Sequence, residues 1–299
     1  MKKIVAVIVT YNRCNLLKEC IEKLLVVRNS NEIDIYVIDN ASTDSTKECV
    51  DGFQVYDCVK YFNTGENLGG AGGFNYGIKK AYESGADYIW IMDDDTMVQP
   101  DSLHWLLKIA ESVDNNFGWL SSLALWIDGN PCIMNYHMVA TEWEREKNYI
   151  LEGRLLCQAA TFVSLLINRN AIKRKGLPIS DYFIWGDDTE YTMRIAQDFP
   201  CYLVPHSQVI HKMKNNEETK IENMANIERI NRMYYSIRND LCTIKRTSFI
   251  RMSVFIIRQF ASVLRIIKSN QLYKGRKILI IIKGVWAGLW FHPEIEYVD

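Results

Sequence analysis

The 299-residue sequence contains no apolar run of 18 residues and no Cys-x-x-Cys pair. Without such a run we expect no transmembrane helix, and without paired cysteines we expect neither a zinc ribbon nor a thioredoxin-like site. The short N-terminal apolar run is followed by no small-residue cleavage site, which favours a buried strand over a signal peptide. We therefore expect a cytoplasmic protein whose eight scattered cysteines are reduced core residues.

Acidic residues are absent between Leu241 and Pro293, a segment that holds ten Lys and Arg. Residues 1–240 carry 25 basic and 33 acidic side chains, so the formal charge of −1 combines an acidic body with a basic C-terminal segment. This asymmetry indicates an anionic partner for the basic segment. The chain is otherwise ordinary in composition, with 48% hydrophobic and 24% charged residues, and is long enough to bury a large core.

The first 95 residues alternate between predicted strands and predicted helices. Strands are predicted over Ile4–Thr10, Ile33–Asp39, Val59–Asn63 and Tyr88–Met92, and helices over Arg13–Leu25, Ser42–Val50 and from the glycine-rich stretch to Ser84. The alternation predicts an α/β sheet with right-handed crossovers, in which ligands bind beyond the carboxyl ends of strands. Polar residues directly follow three of the strands, at Thr10–Arg13, Asp39–Asn40 and Asp93–Asp95.

The pattern is weaker beyond residue 118. We predict strands near Gly118–Ile127 and Thr161–Asn168 with an irregular segment between them, and a helix that follows a polar turn and ends near Gln197. Two short strands, Tyr202–Val204 and Gln208–His211, and a long helix from near Thr219 through Arg238 complete the prediction. We expect a catalytic domain over residues 1–218 and a helical, basic region over residues 219–299.

Three adjacent carboxylates, Asp93, Asp94 and Asp95, follow the apolar strand Tyr88–Met92. Like charges repel one another, so a cation that neutralises them would explain their retention. The alternate residues Asp93 and Asp95 can reach one divalent metal that also holds a diphosphate. A solvated acidic turn is the other interpretation, and the position at a strand end favours the metal.

Glycine recurs between Gly65 and Gly77 at the start of a predicted helix, which would let the backbone approach a ligand closely. The stretch lacks the Gly-Lys-Ser/Thr of a phosphate loop and does not follow the first strand, so it matches neither an ATPase nor a dinucleotide fingerprint. Farther along, Trp185 stands beside two carboxylates, Asp187 and Asp188. These residues are compatible with a general base and a stacking ring, and equally with an acid-rich helix start.

Taken together and in order, these motifs resemble those of the family 2 inverting glycosyltransferases with the GT-A fold. The matching segments cover about the first 210 residues and are 9–13, 37–44, 67–74, 93–95 and 185–190. The resemblance implies a mixed, mainly parallel α/β sheet of Rossmann-like type, followed here by the C-terminal helical region. Gly-Gly-Ala-Gly-Gly-Phe together with Trp-Gly-Asp-Asp looks most like the galactofuranosyltransferase branch, and rhamnosyltransferases share most of these pieces.

The resemblance implies a role for each matching residue. The uridine and diphosphate would be held by Thr10, Tyr11, Asn12, Arg13 and Asp39. The donor sugar would be lined by Asn67 and the backbone of Gly69, Gly70, Gly72 and Gly73, with Asp94 also on the substrate side. Mn²⁺ or Mg²⁺ would be bound by Asp93, Asp95 and His211. Asp188 would be the general base, with Asp187 and Trp185 ordering the acceptor.

The implied reaction moves a sugar, galactofuranose from UDP-galactofuranose, to a hydroxyl of a glycan in cell-surface polysaccharide synthesis. A rhamnosyltransferase that uses dTDP-rhamnose is the first alternative. A non-catalytic sugar-nucleotide-binding subunit is an alternative of another class, and the presence of both the acidic triplet and the candidate base argues against it.

The C-terminal segment combines a basic stripe with apolar and aromatic residues. Arg251, Arg258 and Arg265 recur every seven residues and would form one stripe on a helix. The surrounding aliphatic and aromatic residues favour a helix that lies on an anionic membrane face, as a lipid-linked acceptor at the cytoplasmic side would require. Packing on the catalytic domain, or on a second copy in a homo-oligomer, is the other interpretation. A nucleic-acid partner is not expected, because the aromatics stand among aliphatics.

Overall fold

The computed structural model describes residues 2–28, 32–142, 147–216 and 220–299. Ten strands form one mixed sheet and ten α-helices surround it or follow it. The strands are β1 (Ile4–Thr10), β2 (Ile33–Asp39), β3 (Val59–Asn63), β4 (Tyr88–Asp93), β5 (Thr96–Val98), β6 (Trp119–Leu125), β7 (Met138–Val139), β8 (Leu155–Ala159), β9 (Leu165–Asn168) and β10 (Tyr202–His211). The helices are α1 (Cys14–Arg28), α2 (Thr46–Asp51), α3 (Gly69–Glu83), α4 (Ser102–Ser112), α5 (Lys147–Leu151), α6 (Arg169–Lys175), α7 (Asp187–Ala196), α8 (Ile227–Thr247), α9 (Phe249–Lys268) and α10 (Lys274–Trp290).

The sheet has the order β3-β2-β1-β4-β9-β6-β10-β8-β7, and β5 also pairs with β10. Strands β3, β2, β1 and β4 are parallel neighbours, and β6 is parallel to β10. Strand β9 lies antiparallel between β4 and β6, so β6 and β10 run in the same direction as β3, β2, β1 and β4. The predicted α/β alternation is confirmed, and the carboxyl ends of β1, β2 and β4 meet at one edge of the sheet.

Two apolar layers enclose the sheet, as the strand β1 illustrates. Its residues Ile4, Ala6 and Ile8 face a cluster that includes α1 and α4, whereas the alternate residues face a cluster that includes α3, α6 and α7. Every residue of β1 is buried. This explains the unbroken β-branched run in the sequence, because a strand that is covered on both faces has no polar side to alternate with.

Three sequence predictions in the second half were wrong. The two predicted short strands are one strand, β10, whose pairing with β6 shifts register between Val204 and Gln208, so that an irregularity absorbs the intervening polar residues. The predicted end of the long helix at Arg238 was also wrong, because α8 continues to Thr247. Buried Leu241 and Cys242 extend its apolar face past that point. The predicted helix start near Thr219 was wrong as well. Thr219 itself lies outside the described residues, but α8 begins only at Ile227, where Asn226 Oδ1 accepts hydrogen bonds from Glu228 N and Arg229 N and caps the helix. The predicted domain boundary at 218/219 lies outside the described residues.

The predicted helix over Ser42–Val50 is shorter than expected and begins at Thr46. Its first residues are used by a loop instead, because Asn12 Oδ1 accepts a hydrogen bond from Thr43 N at 2.7 Å and Ser42 Oγ accepts one from Asn12 N at 2.9 Å. The segment expected to be irregular between residues 127 and 161 contains β8, which pairs antiparallel with β10.

The three C-terminal helices form a small core of their own and also pack on the α/β part. Ile230 and Ile237 of α8 meet Ile266 of α9 and residues of α10. Lys245 of α8 donates hydrogen bonds to the last carbonyls of α10, those of Gly288, Leu289 and Phe291, at 2.7–3.0 Å, and so caps that helix. Beyond α10 the chain returns to the α/β part, where Leu177 N donates to the carbonyl of Glu296 at 2.8 Å.

No described helix is both long and apolar enough to cross a membrane. All eight cysteines are free thiols, and six of them are buried.

Candidate active site

The loop after β1 and the loop after β2 are tied together at the carboxyl edge of the sheet. Asp39 ends β2 and is buried, with one carboxylate oxygen accepting from Ser42 N at 2.8 Å and the other from the hydroxyl of Tyr61 at 2.6 Å. Asn12 adopts a left-handed conformation with φ 54° and bridges the two loops through its side chain. Asp39 and Asn12 therefore shape this edge before any ligand arrives.

The acidic triplet divides into two residues that line a cavity, Asp93 and Asp95, and one that contacts protein groups, Asp94. Asp94 accepts a hydrogen bond from Thr10 Oγ1 at 2.8 Å and lies 3.1 Å from Arg13 Nη1. The same Arg13 nitrogen lies 2.8 Å from Asp95 Oδ2. Both oxygens of Asp94 are thus occupied by protein contacts, which makes it a brace between β1 and β4 in this structure.

Asp93, Asp95 and His211 present ligand atoms that all lie within 4.8 Å of one another. Strand β10 brings His211 there by pairing antiparallel with β5, which places His211 opposite Thr96, one residue past the triplet. Asn135 Oδ1 lies 2.7 Å from His211 Nδ1, which orients the ring and leaves Nε2 facing the carboxylates. Nε2 is 3.0 Å from Asp95 Oδ1.

The donor atoms fit a divalent cation. Asp95 Oδ1 is buried and lies 3.0 Å from His211 Nε2, so a carboxylate oxygen and an imidazole nitrogen are held as close together as two ligands of one cation would be. Burial, reinforced by Asp95, raises the pKa of Asp93 to about 7. Burial by itself would lower the pKa of His211, but contacts with Asp95 and Cys132 outweigh it and raise that pKa to about 10. A cation that replaces the His211 proton would relieve the same crowding of negative charge.

The glycine-rich stretch forms the first turns of α3 and packs this helix closely on the sheet. A side chain at Gly73 would reach within 2.6 Å of Val9, and one at Gly77 within 2.5 Å of Val7. Gly69 has φ +70° and lies against the backbone of Phe183, where no side chain fits. These glycines bring the helix N-terminus to the site edge, and Gly70 has open space beside it.

The segment that carries the candidate base is a strained loop followed by α7. Trp185 and Gly186 both have positive φ, at 65° and 83°, and α7 begins with Asp187 and Asp188. Burial, together with Asp188, raises the pKa of Asp187 well above its usual range, and burial also raises the pKa of Asp188. Asp188 Oδ1 accepts from Thr189 N at 2.6 Å. Carboxylates with raised pKa values are suited to proton transfer.

A cavity of about 470 Å³ brings together all the residues that were predicted to bind the metal or to act as the base. The predicted residues that line it are Arg13, Gly70, Asp93, Asp95, Trp185, Asp187, Asp188 and His211. The other predicted residues lie elsewhere in the described structure: Thr10, Tyr11, Asn12, Asp39, Asn67, Gly69, Gly72, Gly73 and Asp94. Of these, Thr10, Asn12 and Asn67 use their side chains for contacts within the loops.

Helix α8 contributes site residues that the sequence analysis missed. Arg232, Ser236 and Asp240 line the same cavity, and Asn239 holds the Trp185 loop. Burial raises the pKa of Asp240 to about 7, and Asp188 adds to the rise. The sequence pattern that could have indicated them is the pair Ser236 and Asp240, which lie four residues apart and so share one helix face. The prediction missed this pair because it ended the helix at Arg238.

Curated relatives include a galactofuranosyltransferase, GlfT1, of Mycolicibacterium smegmatis, to which the chain is 26% identical over 200 residues. That alignment covers 64% of this chain and 65% of the relative, so the chain spans slightly less than two thirds of that relative. The dTDP-rhamnosyl transferase RfbF of Shigella flexneri is 22% identical over 293 residues, which cover 94% of this chain and 95% of the relative.

Two solved structures share the fold. One is GalNAc-T7 with UDP, GalNAc and Mn²⁺, with TM-score 0.60 and 16% identity, covering 82% of this chain and 48% of that one. The other is the mannosyltransferase PcManGT from Pyrobaculum calidifontis with GDP-Man and Mn²⁺, with TM-score 0.59 and 15% identity, covering 96% of this chain and 87% of that one. They confirm the predicted GT-A fold. The sequence model described as glycosyl transferase family 2 matches residues 5–154, half of the chain, and the protein therefore belongs to that family.

Proposed function

We propose that the protein is a metal-dependent, inverting glycosyltransferase that uses a nucleotide-activated sugar. The observation that carries this proposal is one cavity lined both by the cluster Asp93, Asp95 and His211 and by the carboxylates Asp187 and Asp188. A site that combines a cation cluster with carboxylates of raised pKa suits displacement of a diphosphate by a hydroxyl.

The donor would bind along the carboxyl edge of β1, β2 and β4. Asp39 lies there with Tyr61, and Arg13 lines the cavity beside Asp95, where its guanidinium can pair with a diphosphate. Asp93, Asp95 and His211 would hold Mn²⁺ or Mg²⁺, which neutralises charge on a departing diphosphate. Asn67 and the α3 glycines shape the adjacent wall, with Gly70 on the cavity itself.

Asp188 would remove the proton from the acceptor hydroxyl. Its raised pKa makes it a stronger base than an exposed aspartate, and it is still ionised above that pKa. The acceptor oxygen then attacks the anomeric carbon from the face opposite the diphosphate, and a single displacement inverts the configuration. Asp187 and Trp185 would order the acceptor, since both line the cavity beside Asp188. No second carboxylate nucleophile is needed, unlike in a retaining glycosidase.

The proposed donor is UDP-galactofuranose, in keeping with the similarity to the galactofuranosyltransferase and with the motifs of residues 67–74 and 185–190. A specific observation favours dTDP-rhamnose as the second candidate: the alignment with the rhamnosyl transferase runs over nearly the whole of both chains. The reaction chemistry is the same for either donor.

The proposed acceptor is a lipid-linked glycan on the cytoplasmic face of an anionic membrane. Helices α9 and α10 expose large apolar residues, among them Phe249, Phe260, Trp286 and Trp290, each more than 60% exposed. Arg251 and Arg258 lie on the same helix as the first two. An exposed apolar face with basic residues suits an interfacial helix. The alternative is that a second copy of the chain packs on this face.

The test is a donor panel with purified full-length protein. UDP-galactofuranose, dTDP-rhamnose and UDP-galactopyranose are each incubated with synthetic octyl glycosides as acceptors, with Mn²⁺ or with EDTA, and nucleotide release and product are measured. Mn²⁺-dependent transfer from UDP-galactofuranose alone supports the proposal, and transfer from dTDP-rhamnose alone replaces the donor and keeps the mechanism. Tight Mn²⁺-dependent UDP binding without transfer from any donor would favour a binding subunit.

A further inference from the structure

A second cavity of about 650 Å³ lies between α8, α9 and the segment at residues 220–223. It shares three lining residues with the catalytic cavity: Met233, Ser236 and Asp240. The two cavities therefore lie on either side of one edge of α8. A ligand that occupies the catalytic cavity and is too long for it has this neighbouring space to enter.

The far side of the second cavity is basic. Arg258 and Arg265 line it from α9, two helical turns apart on the same face. Glu222 Oε1 accepts from Arg265 Nε at 3.1 Å and Nη2 at 2.7 Å, and also from Ser262 Oγ at 2.7 Å, which fixes the Arg265 side chain. Arg258 has no hydrogen bond or ion pair with any described residue. One guanidinium is thus held in place and the other is free to bind.

Exposed apolar side chains of α9 lie near these arginines. Val254 precedes Arg258 by one helical turn on the same face and is 43% exposed. Ile257 and Phe260 are each about two thirds exposed and lie on other faces of the helix. Polar lining residues, Gln259 and Gln271, complete the mouth of the cavity. The second cavity therefore contains two guanidinium groups, with an exposed apolar side chain one helical turn away on α9.

We propose that the second cavity binds a phosphate group of the acceptor, carried on an apolar chain, while the sugar end of the acceptor lies in the catalytic cavity. This rests on the proposed function for the identity of the sugar end. Arginine pairs with phosphate oxygens through two parallel hydrogen bonds, and a fixed arginine beside a free one suits a phosphate ester or diphosphate. Asp240 lines both cavities and would lie at the junction between the sugar end and the phosphate.

The first experiment measures binding and needs no turnover. Octyl phosphate, inorganic phosphate and octyl glucoside are titrated into the full chain below their aggregation concentrations, without vesicles. We expect octyl phosphate to bind at least about tenfold more tightly than octyl glucoside, and Arg258→Gln to weaken it at least about fivefold. Arg251→Gln is the matched control, because Arg251 lies on the same stripe and does not line the cavity.

Equal effects of Arg258→Gln and Arg251→Gln on octyl phosphate binding would overturn the proposal. Inorganic phosphate that binds as tightly as octyl phosphate, with the same dependence on Arg258, would also overturn it, since the cavity would then take a free ion and not an acceptor. UDP binding with Mn²⁺ is measured in parallel. Failure of the wild-type protein to bind UDP with Mn²⁺ would count against the proposed function. The comparison of octyl phosphate binding between Arg258→Gln and Arg251→Gln would remain valid.

The second experiment uses transfer. The acceptor sugar that works best as an octyl glycoside is also made as its octyl phosphodiester. Arg258→Gln is expected to raise KM for the phosphodiester at least about fivefold, to leave KM for the neutral glycoside unchanged, and to leave kcat unchanged for both. An equal rise in KM for both acceptors would contradict a phosphate site.

Discussion

Asn239 of α8 donates a hydrogen bond from its side-chain amide to the backbone carbonyl of Trp185, at 2.7 Å. The same nitrogen contacts the carbonyls of Tyr182 at 2.9 Å and Ile184 at 3.2 Å. Asn239 is fully buried, and these carbonyls belong to the strained loop that leads into Asp187 and Asp188. A helix from the C-terminal region therefore fixes the loop that carries the proposed base.

Replacing Asn239 with Ala should lower kcat by about tenfold or more and the free energy of unfolding by about 1–3 kcal/mol, because three carbonyls lose a shared donor. Asn231→Ala is the control, since Asn231 lies on the same helix and contacts only exposed Arg276 through its side chain oxygen. Nucleotide release and chemical denaturation measure the two effects. Wild-type kcat in Asn239→Ala would show that the loop needs no support from α8.

The proposed metal cluster predicts one outcome for Asp93 and Asp95 and another for Asp94. Asp93→Asn and Asp95→Asn should weaken Mn²⁺ binding by more than about 100-fold, since each would remove one of the proposed ligands. Asp94→Asn is the matched control and should keep Mn²⁺ affinity within about threefold, because Asp94 contacts Thr10 and Arg13 instead. Mn²⁺ titration followed by electron paramagnetic resonance measures the affinities. An equal loss in all three variants would contradict the cluster.

Asp240 should make folding stability fall as pH rises. Its pKa is raised by burial to about 7 in the folded protein, against the usual value near 4, so the folded state binds this proton more tightly than the unfolded state. The favourable contribution is complete below about pH 4 and is lost as pH rises through 7. Asp240→Asn should therefore be more stable than wild type at pH 8, by about 1–2 kcal/mol after allowance for partial exposure, and should lose this advantage at pH 4.

The measurement for Asp240 is urea denaturation at pH 4, 6 and 8 in EDTA. Ser236→Ala serves as the control, because it removes the 3.3 Å contact with Asp240 and keeps the carboxylate. A difference between Asp240→Asn and wild type that does not change with pH would mean that Asp240 titrates normally.

The exposed apolar face of α9 should bind anionic vesicles. Ile257→Ser combined with Phe260→Ser should weaken binding to phosphatidylglycerol-containing vesicles by about tenfold or more, because two large apolar side chains lose their burial in the interface. Leu151→Ser on α5, at a site 88% exposed, is the control. Co-sedimentation measures the binding. Unchanged vesicle binding, together with a dimer in solution that the double variant abolishes, would assign this face to a second copy of the chain.

The sequence predicted the site best where the site residues directly follow a strand. Buried β-branched runs located β1, β2 and β4, and the residues that follow them meet because parallel strands share one carboxyl edge. Asp93 and Asp95 were named in advance for this reason, whereas the roles of Asp187, Asp188 and His211 were implied by the resemblance to family 2 glycosyltransferases. All five residues line one cavity.

The sequence could not predict long-range contacts. Asn135 beside His211, and Tyr61 beside Asp39, depend on how distant segments pack, and neither has a local signal. The α8 residues were missed for a related reason. The buried Leu241 and Cys242 continue the helix because they pack on the rest of the molecule, Cys242 against Ala71 and Tyr182, which no local pattern shows.

Asp188→Asn tests the central claim most directly. The variant is compared with wild type for Mn²⁺-dependent binding of the donor nucleotide and for transfer under saturating donor, with Thr189→Val as a control that keeps the carboxylate. We predict nucleotide binding within about twofold of wild type and a fall in kcat of about 10²–10⁴, because the acceptor hydroxyl loses its base. Transfer by Asp188→Asn at a rate close to that of wild type would contradict the account.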